Sequence, residues 1–502
     1  MASASADPPA GTVDQAAAPA AETTPQYRWW VLAVIGVAQL TVVLDATIVN
    51  IALPSAQRDL GFSDSGRQWV VTAYSLAFGS LLLLGGRIAD LFGRKITFVV
   101  GLFGFAGASA LGGAANGFEM LIIARAAQGL FGALLAPAAL SLLVTTFTEG
   151  RERARAFGVY GAIAGAGGAV GLLLGGVLTE HLNWRWTLYV NLLFAAIAIV
   201  GALLLLRTTE RDRSATLDLP GTLLASAGLF CVVFGFSNAD THGWDSPGTW
   251  GCLTAAPLLL GAFTWSQARA ERPLLPLRVL LDRDRGASFL MILIGGGGLF
   301  AVFLFLTYYL QQSLGYTPVE TGLAFLPLIG TLMVTAAIAT SVLMRLVGPK
   351  LLVPTGMGIA AVGLAWMTVL DLDSSYASEI MPTLLVTGVG IGLVFAPTMN
   401  LATLGVAAED SGVASAAVNI MQQIGGSISI ALLNTLAADT LDDYLSTRDR
   451  NDSSVLAHAA LESYRVTYWW AAGFFAAGTV ISALLYRRGI PDQNQGATPV
   501  HM

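Results

Sequence analysis

Apolar stretches long enough to cross a bilayer recur along almost the whole chain, at about 29–53, 68–85, 97–115, 119–143, 156–178, 186–206, 219–237 and 250–267. A charged stretch at 268–285 interrupts them, and six more follow at about 287–310, 321–343, 351–370, 380–402, 412–437 and 466–486. Roughly 20 apolar residues at 1.5 Å of rise each span the hydrocarbon core, so each run predicts one membrane-crossing helix. Only 12% of the 502 residues are charged and 55% are hydrophobic, whereas a soluble domain carries roughly 25% charged residues. The expected fold class is therefore an all-α integral membrane protein of fourteen helices, a number that puts both termini on one side.

Charge fixes which side. With the N-terminus inside, alternate loops divide the basic residues 19 inside to six outside, leaving Arg125 alone within a helix. Basic residues accumulate on the cytoplasmic face of membrane proteins, so both termini are expected in the cytoplasm. Trp29, Trp30, Trp69, Trp184, Trp186, Trp250, Trp469 and Trp470 fall near helix ends, as interfacial anchors do.

The remaining composition narrows the partners. The formal net charge is −6 and no Lys/Arg-rich tract stands out, so the lipid bilayer rather than nucleic acid is the expected surroundings. Cys231 and Cys252 both lie in apolar stretches, which signals neither a disulfide framework nor a metal site. Residues 2–26 are rich in Ala, Pro, Ser and Thr and lack a basic start followed by a short apolar core, which predicts a disordered cytoplasmic tail over 1–28. With 24 arginines to two lysines, Lys95 and Lys350, the usage hints at a GC-rich bacterium and hence a bacterial plasma membrane.

Faint internal repetition organises the helices. Ala89–Lys95 has a shadow in Met344–Lys350. Gly132 and Ala136-Pro137 recur, each 260 residues on, as Gly392 and Ala396-Pro397. The matches relate helices 1–6 to 9–14, giving an N-terminal half at 29–206, a two-helix insert at 207–285, a C-terminal half at 286–486 and a second cytoplasmic tail at 487–502. Two six-helix halves in parallel repeat are a secondary-transporter plan, with substrate expected between them near the midplane.

Three groups of residues carry candidate chemistry. Asp45 lies within helix 1, where a mid-bilayer carboxylate costs roughly 2.5–3.5 kcal/mol and must face a cavity or a partner. Helix 1 leaves the membrane at about Pro54 and helix 4 enters from the same side at about Glu119, placing Asp45 about 13 Å and Arg125 about 9 Å deep. Two arrangements suit Arg125: pairing with Asp45 so as to stabilise its carboxylate, or snorkelling to the outer interface. Gly86, Asp90, Gly93, Arg94 and Lys95 form the turn between helices 2 and 3, either a latch on the inner face or simply a capped, positively charged loop. Helix 5 is crowded with glycine, including Gly171, Gly175 and Gly176, which suits close helix contact, static or sliding.

The segments LDATIVNIALP, GGRIADLFGRK and RAAQGLFGA together resemble the signature motifs of helix 1, the 2–3 loop and helix 4 in the fourteen-helix drug:proton antiporters of the major facilitator superfamily. That resemblance implies export of amphipathic drugs or antibiotics in exchange for protons, with Asp45, Asp90 and Arg125 at functional family positions. Helix 5 resembles the family's antiporter motif through Gly171-Leu-Leu-Leu-Gly175-Gly176, although Leu172 stands where the pattern usually has Pro. Some relatives also carry a carboxylate in helix 13, and none lies between 412 and 437 here.

The expected protein is then no enzyme but a monomeric, proton-coupled exporter of a small amphipathic substrate, with protons as the only coupling ion and no cofactor or metal. The rival is a proton-coupled transporter of one specific metabolite, such as a sugar, peptide or siderophore. No Gly-Lys-Ser/Thr phosphate loop is present, and all four histidines lie outside the apolar runs. Tyr308, Tyr309, Asn400, Asn419 and Gln422 are the candidates for the substrate cavity.

Overall fold

The computed structural model describes residues 25–147, 150–206, 218–270, 275, 278, 281–404, 406, 411–449 and 452–489. Among them the regular elements are all helical and form fourteen long rods. These are α1 (Pro25–Leu60), α2 (Asp64–Phe92), α3 (Arg94–Gly113), α4 (Phe118–Thr146), α5 (Gly150–His181), α6 (Trp186–Leu205), α7 (Leu219–His242) and α8 (Pro247–Arg269). They continue with α9 (Arg283–Ser313), α10 (Pro318–Val347), α11 (Pro349–Met367), α12 (Tyr376–Thr403), α13 (Ser411–Ser446) and α14 (Ser453–Leu485). Twelve of the described helices are apolar and long enough to cross a bilayer. The other two rods, α5 and α8, run 32 and 23 residues, so the arrangement is compatible with fourteen crossings.

Local sequence sets the helix ends. Ser63 accepts from the Gly66 N–H at the start of α2, and Thr317 and Glu320 make a reciprocal capping box at the start of α10. The expected loop at 86–95 shrinks to one residue: α2 runs through Phe92, Gly93 breaks the chain at φ 97°, and α3 starts at Arg94. Gly348 makes the same break at φ 69° between α10 and α11. Only glycine takes this backbone cheaply, so the paired loops repeat for a physical reason.

The other repeated positions also pack alike. A Cβ on Gly132 would meet Phe78 of α2, and one on Gly392 would fall 2.7 Å from the Leu332 carbonyl of α10. Each lets a helix cross closely against the second helix of its own half. Large apolar side chains reverse the pattern of a soluble protein and cover the exterior: Leu204 is 77% and Leu258 73% exposed.

Several boundaries differ from the sequence expectation: α13 runs past 437 to Ser446, α14 starts at Ser453 rather than near 466, and α1 is longer at both ends. Residues 25–28, expected in the tail, continue α1, where the Tyr27 hydroxyl donates to the Leu205 carbonyl and Arg28 pairs with Glu152 at 3.2 Å. At its other end α1 passes Pro54 and stops at Leu60, because one missing N–H does not stop a helix supported on its neighbours. Residues 1–24 and 490–502 of the expected tails lie outside the described residues.

Candidate functional site

Five helices converge on Asp45. It lies 15 residues before the Leu60 end of α1, about 22 Å along the axis. Arg125, seven residues into α4, sits about 10 Å from the Phe118 end. Its side chain does not snorkel: it is 2% exposed, Asp45 is 0% exposed, and Nη1 donates to Asp45 Oδ2 at 2.6 Å.

The pair is embedded in a polar cluster. Gln128 Nε2 donates to Asp45 Oδ1 at 2.8 Å and to Ser109 Oγ of α3 at 2.8 Å, while its Oε1 accepts from Arg125 Nη1 at 2.8 Å. Asn191 Nδ2 of α6 donates to Asp45 Oδ1 at 2.7 Å. Arg125 Nε donates to the Val70 carbonyl of α2 at 3.1 Å, and its guanidinium lies 4.6 Å from the centre of the Tyr74 ring. Burying an ion pair is tolerable only when such bonds replace water around both charges. Each of these partners of Asp45 is a donor, the environment a carboxylate requires.

Gln128, Asn191, Ser109 and Tyr74 were not singled out from sequence. Gln128 was findable, since it lies one turn from Arg125 on the same face. Asn191 is a lone amide in the apolar run of α6, and only the fold reveals which way it points.

Around this cluster the glycines of α5 divide their contacts. A Cβ on Gly171 would fall 2.0 Å from Thr47 Oγ1, and one on Gly175 would fall 3.0 Å from the Ile48 carbonyl, both on α1. One on Gly176 would instead fall 2.6 Å from the Pro318 carbonyl of α10, across the seam between the halves. Other contacts cross that seam at the same end of the bundle. Gln311 Nε2 donates to the Ile51 carbonyl at 3.2 Å, the Val319 N–H donates to Glu180 at 3.1 Å, and Asn434 Nδ2 donates to Gln68 Oε1 at 3.2 Å. At the opposite end the described bonds of Arg28, Lys95 and Arg283 stay within one half. In the orientation expected from charge these cross-seam hydrogen bonds lie toward the outer ends, while deeper in, α13 packs on the N-terminal half through Ile420, Ile424 and Gln423.

The remaining candidates are scattered. Gly86 lies within α2 against Pro137, Lys95 Nζ donates to the Leu206 carbonyl just beyond α6, and Arg94 is half-buried at the start of α3. The Asp90 side chain lies outside the described residues. Tyr308 is in the same seam, its ring 4.0 Å beneath the Arg67 guanidinium. Tyr309 does not line a cavity between the halves. One residue further round the helix, it turns into the C-terminal half, where its hydroxyl donates to the Asp371 carbonyl at 2.5 Å and its ring abuts Tyr464. Asn400 is exposed near the end of α12, and Asn419 is half-buried on α13. Gln422 backs onto Gly296 of α9, while its neighbour Gln423 meets Gly79 of α2 across the seam. Among the described residues no three His, Cys, Asp or Glu side chains gather as a metal site.

Comparison with known proteins adds to this geometry. A sequence profile described as Major Facilitator Superfamily matches residues 35–430. The puromycin resistance protein of Streptomyces alboniger is 48% identical over 461 residues, 91% of each chain. The cephamycin export protein of Amycolatopsis lactamdurans is 39% identical over 402 residues, 80% of this chain and 83% of the relative. Among solved structures, the POT family transporter PepTSo superposes with a TM-score of 0.66 at 16% identity, covering 92% of this chain and 98% of its own. Likeness at that identity concerns the fold.

Proposed function

Because the chain belongs to the major facilitator superfamily and is a multi-pass membrane transporter rather than an enzyme, we propose that it exports small amphipathic antibiotics in exchange for protons. In this reading it sits in a bacterial plasma membrane with both termini cytoplasmic, and works by alternating access between its two halves. The printed functions of the relatives, resistance to puromycin and export of cephamycin, support the substrate class.

The observation that carries the reading is the buried Asp45–Arg125 pair. A proton arriving from outside neutralises Asp45, removes its attraction for Arg125 and loosens the hold of α1 on α4. The two conformations then differ in proton affinity, which is the condition for a proton gradient to bias them. Drug leaves outward as the proton is taken up, and loss of the proton inside restores the pair.

Everted vesicles containing the full chain provide the test, with puromycin as the probe. Accumulation is expected to require an imposed pH gradient and to vanish in Asp45→Asn. Accumulation that persists in the variant, or that proceeds without a gradient, overturns the reading.

A further inference from the structure

Asp45 needs different company in its two protonation states. The carboxylate takes donors, whereas the acid gains an O–H and must find an acceptor or leave a buried donor without a partner. Arg125 has no acceptor to offer. Gln128 has one, but its Oε1 already accepts from Arg125 Nη1 at 2.8 Å, and its amide is pinned at the other side by Ser109. Turning that amide would break a charge-assisted bond.

Asn191 is different. It is 0% exposed, its Nδ2 donates to Asp45 Oδ1 at 2.7 Å, and its buried Oδ1 has no hydrogen-bond partner among the described residues. A buried amide carbonyl left unpaired beside an ionised acid is an acceptor held in reserve. Rotation about the last side-chain bond exchanges the two ends of the amide and brings Oδ1 to the position from which Nδ2 now reaches Asp45. It breaks no bond to the carbonyl, and the donor bonds it gives up are that to Asp45 and a long one, 3.5 Å, to Ser109 Oγ.

We propose that Asn191 reads the protonation state of Asp45, its amide donating to the carboxylate and turning over to accept from the acid. The inference rests on the proton-coupling reading above and adds the residue that stabilises the protonated state. No group is transferred: one proton joins Asp45 from water and one amide rotates. Among the described residues the charged and titratable groups facing Asp45 are Arg125 from α4 and, stacked on Arg125, Tyr74 from α2. From α3 and α6 come the neutral Ser109 and Asn191, and α5 packs Gly171 on Leu44 and Thr47, to either side of Asp45 in sequence. Asn191 is thus a positioning residue for the proton.

Infrared difference spectra of the full chain in lipid, recorded between high and low pH, read this directly. Protonated Asp45 is expected to give an acid carbonyl band that is absent from Asp45→Asn. In Asn191→Leu, which fills the space, and in Asn191→Ala, which empties it, that band is expected to move to the higher frequency of an acid with fewer hydrogen bonds. Both variants lack the acceptor, so they must shift it in the same direction, and puromycin binding at high pH checks that each is folded. A band present but unmoved in both variants overturns the role of Asn191 and leaves proton coupling standing. A spectrum in which Asp45→Asn removes no acid band overturns the proton-coupling reading itself.

Discussion

Gly176→Ala isolates the outer seam. The new Cβ would lie 2.6 Å from the Pro318 carbonyl oxygen and 2.8 Å from Val319 Cα, both backbone atoms, where ordinary contact begins at 3.4 Å. Neither neighbour can turn aside, so α5 and α10 must separate by about 0.6–0.8 Å. Overpacking of this kind costs about 1–3 kcal/mol. Because the clash lies between the halves, that energy falls on the conformation in which they touch, and shifts its population by roughly 5- to 150-fold. Gly175→Ala, one residue away, clashes with the Ile48 backbone inside the N-terminal half and should lower thermal stability instead. Gly168→Ala, with nothing within 4 Å of its Cβ, should do neither. Spin labels at the exposed Leu182 and Gln312, in a background without Cys231 and Cys252, measure the outer opening by electron-electron resonance. A longer distance is expected in Gly176→Ala alone. The same distribution in Gly176→Ala and the parent, or equal widening in Gly168→Ala, would refute the assignment of this contact to a moving seam.

Asp45→Leu leaves Arg125 buried without its counter-charge and is expected to lower stability in detergent by about 3–5 kcal/mol. Adding Arg125→Met should recover most of that loss in a thermal unfolding assay, while gradient-driven transport stays abolished. Glu180 accepts from the Val319 N–H and from Thr317, which hold its carboxyl below the usual carboxylate range. The contact is therefore complete above that range and is lost as the external pH falls through the lowered value. In an Asp45→Asn background, which removes the coupling carboxyl, seam distance between the same labels should widen on strong external acidification and become independent of pH once Glu180→Gln is added. Lys95→Ala removes a cation from the C-terminal carbonyls of α6, which should reduce stability by about 0.3–1 kcal/mol. Puromycin export per folded molecule should remain near the parental level.

Much of this site is legible in the sequence because charge is so scarce there. In an apolar helix a carboxylate and a guanidinium each demand a partner, and two such residues at reachable depths on helices 1 and 4 nominate each other. The glycine breaks at Gly93 and Gly348 are equally legible, since a turn of one residue between long helices requires a backbone that other residues avoid. What stays hidden is direction. Asn191 and Tyr309 are both polar residues in apolar runs, yet one faces Asp45 and the other turns into its own half. Neighbouring positions on a helix diverge by about 100°, so Gln422 and Gln423 contact different helices, and no pattern in the surrounding alanines and glycines says which one meets the seam.

Proton movement driven by drug is the most direct consequence of the account. Purified full-length protein in liposomes with a trapped pH indicator and no imposed gradient should, on inward flow of puromycin, carry protons the opposite way. Asp45→Asn should bind puromycin but move no protons. Puromycin flux without proton counterflow in the parent, or proton counterflow undiminished in Asp45→Asn, would contradict the claim that this buried carboxylate couples the two.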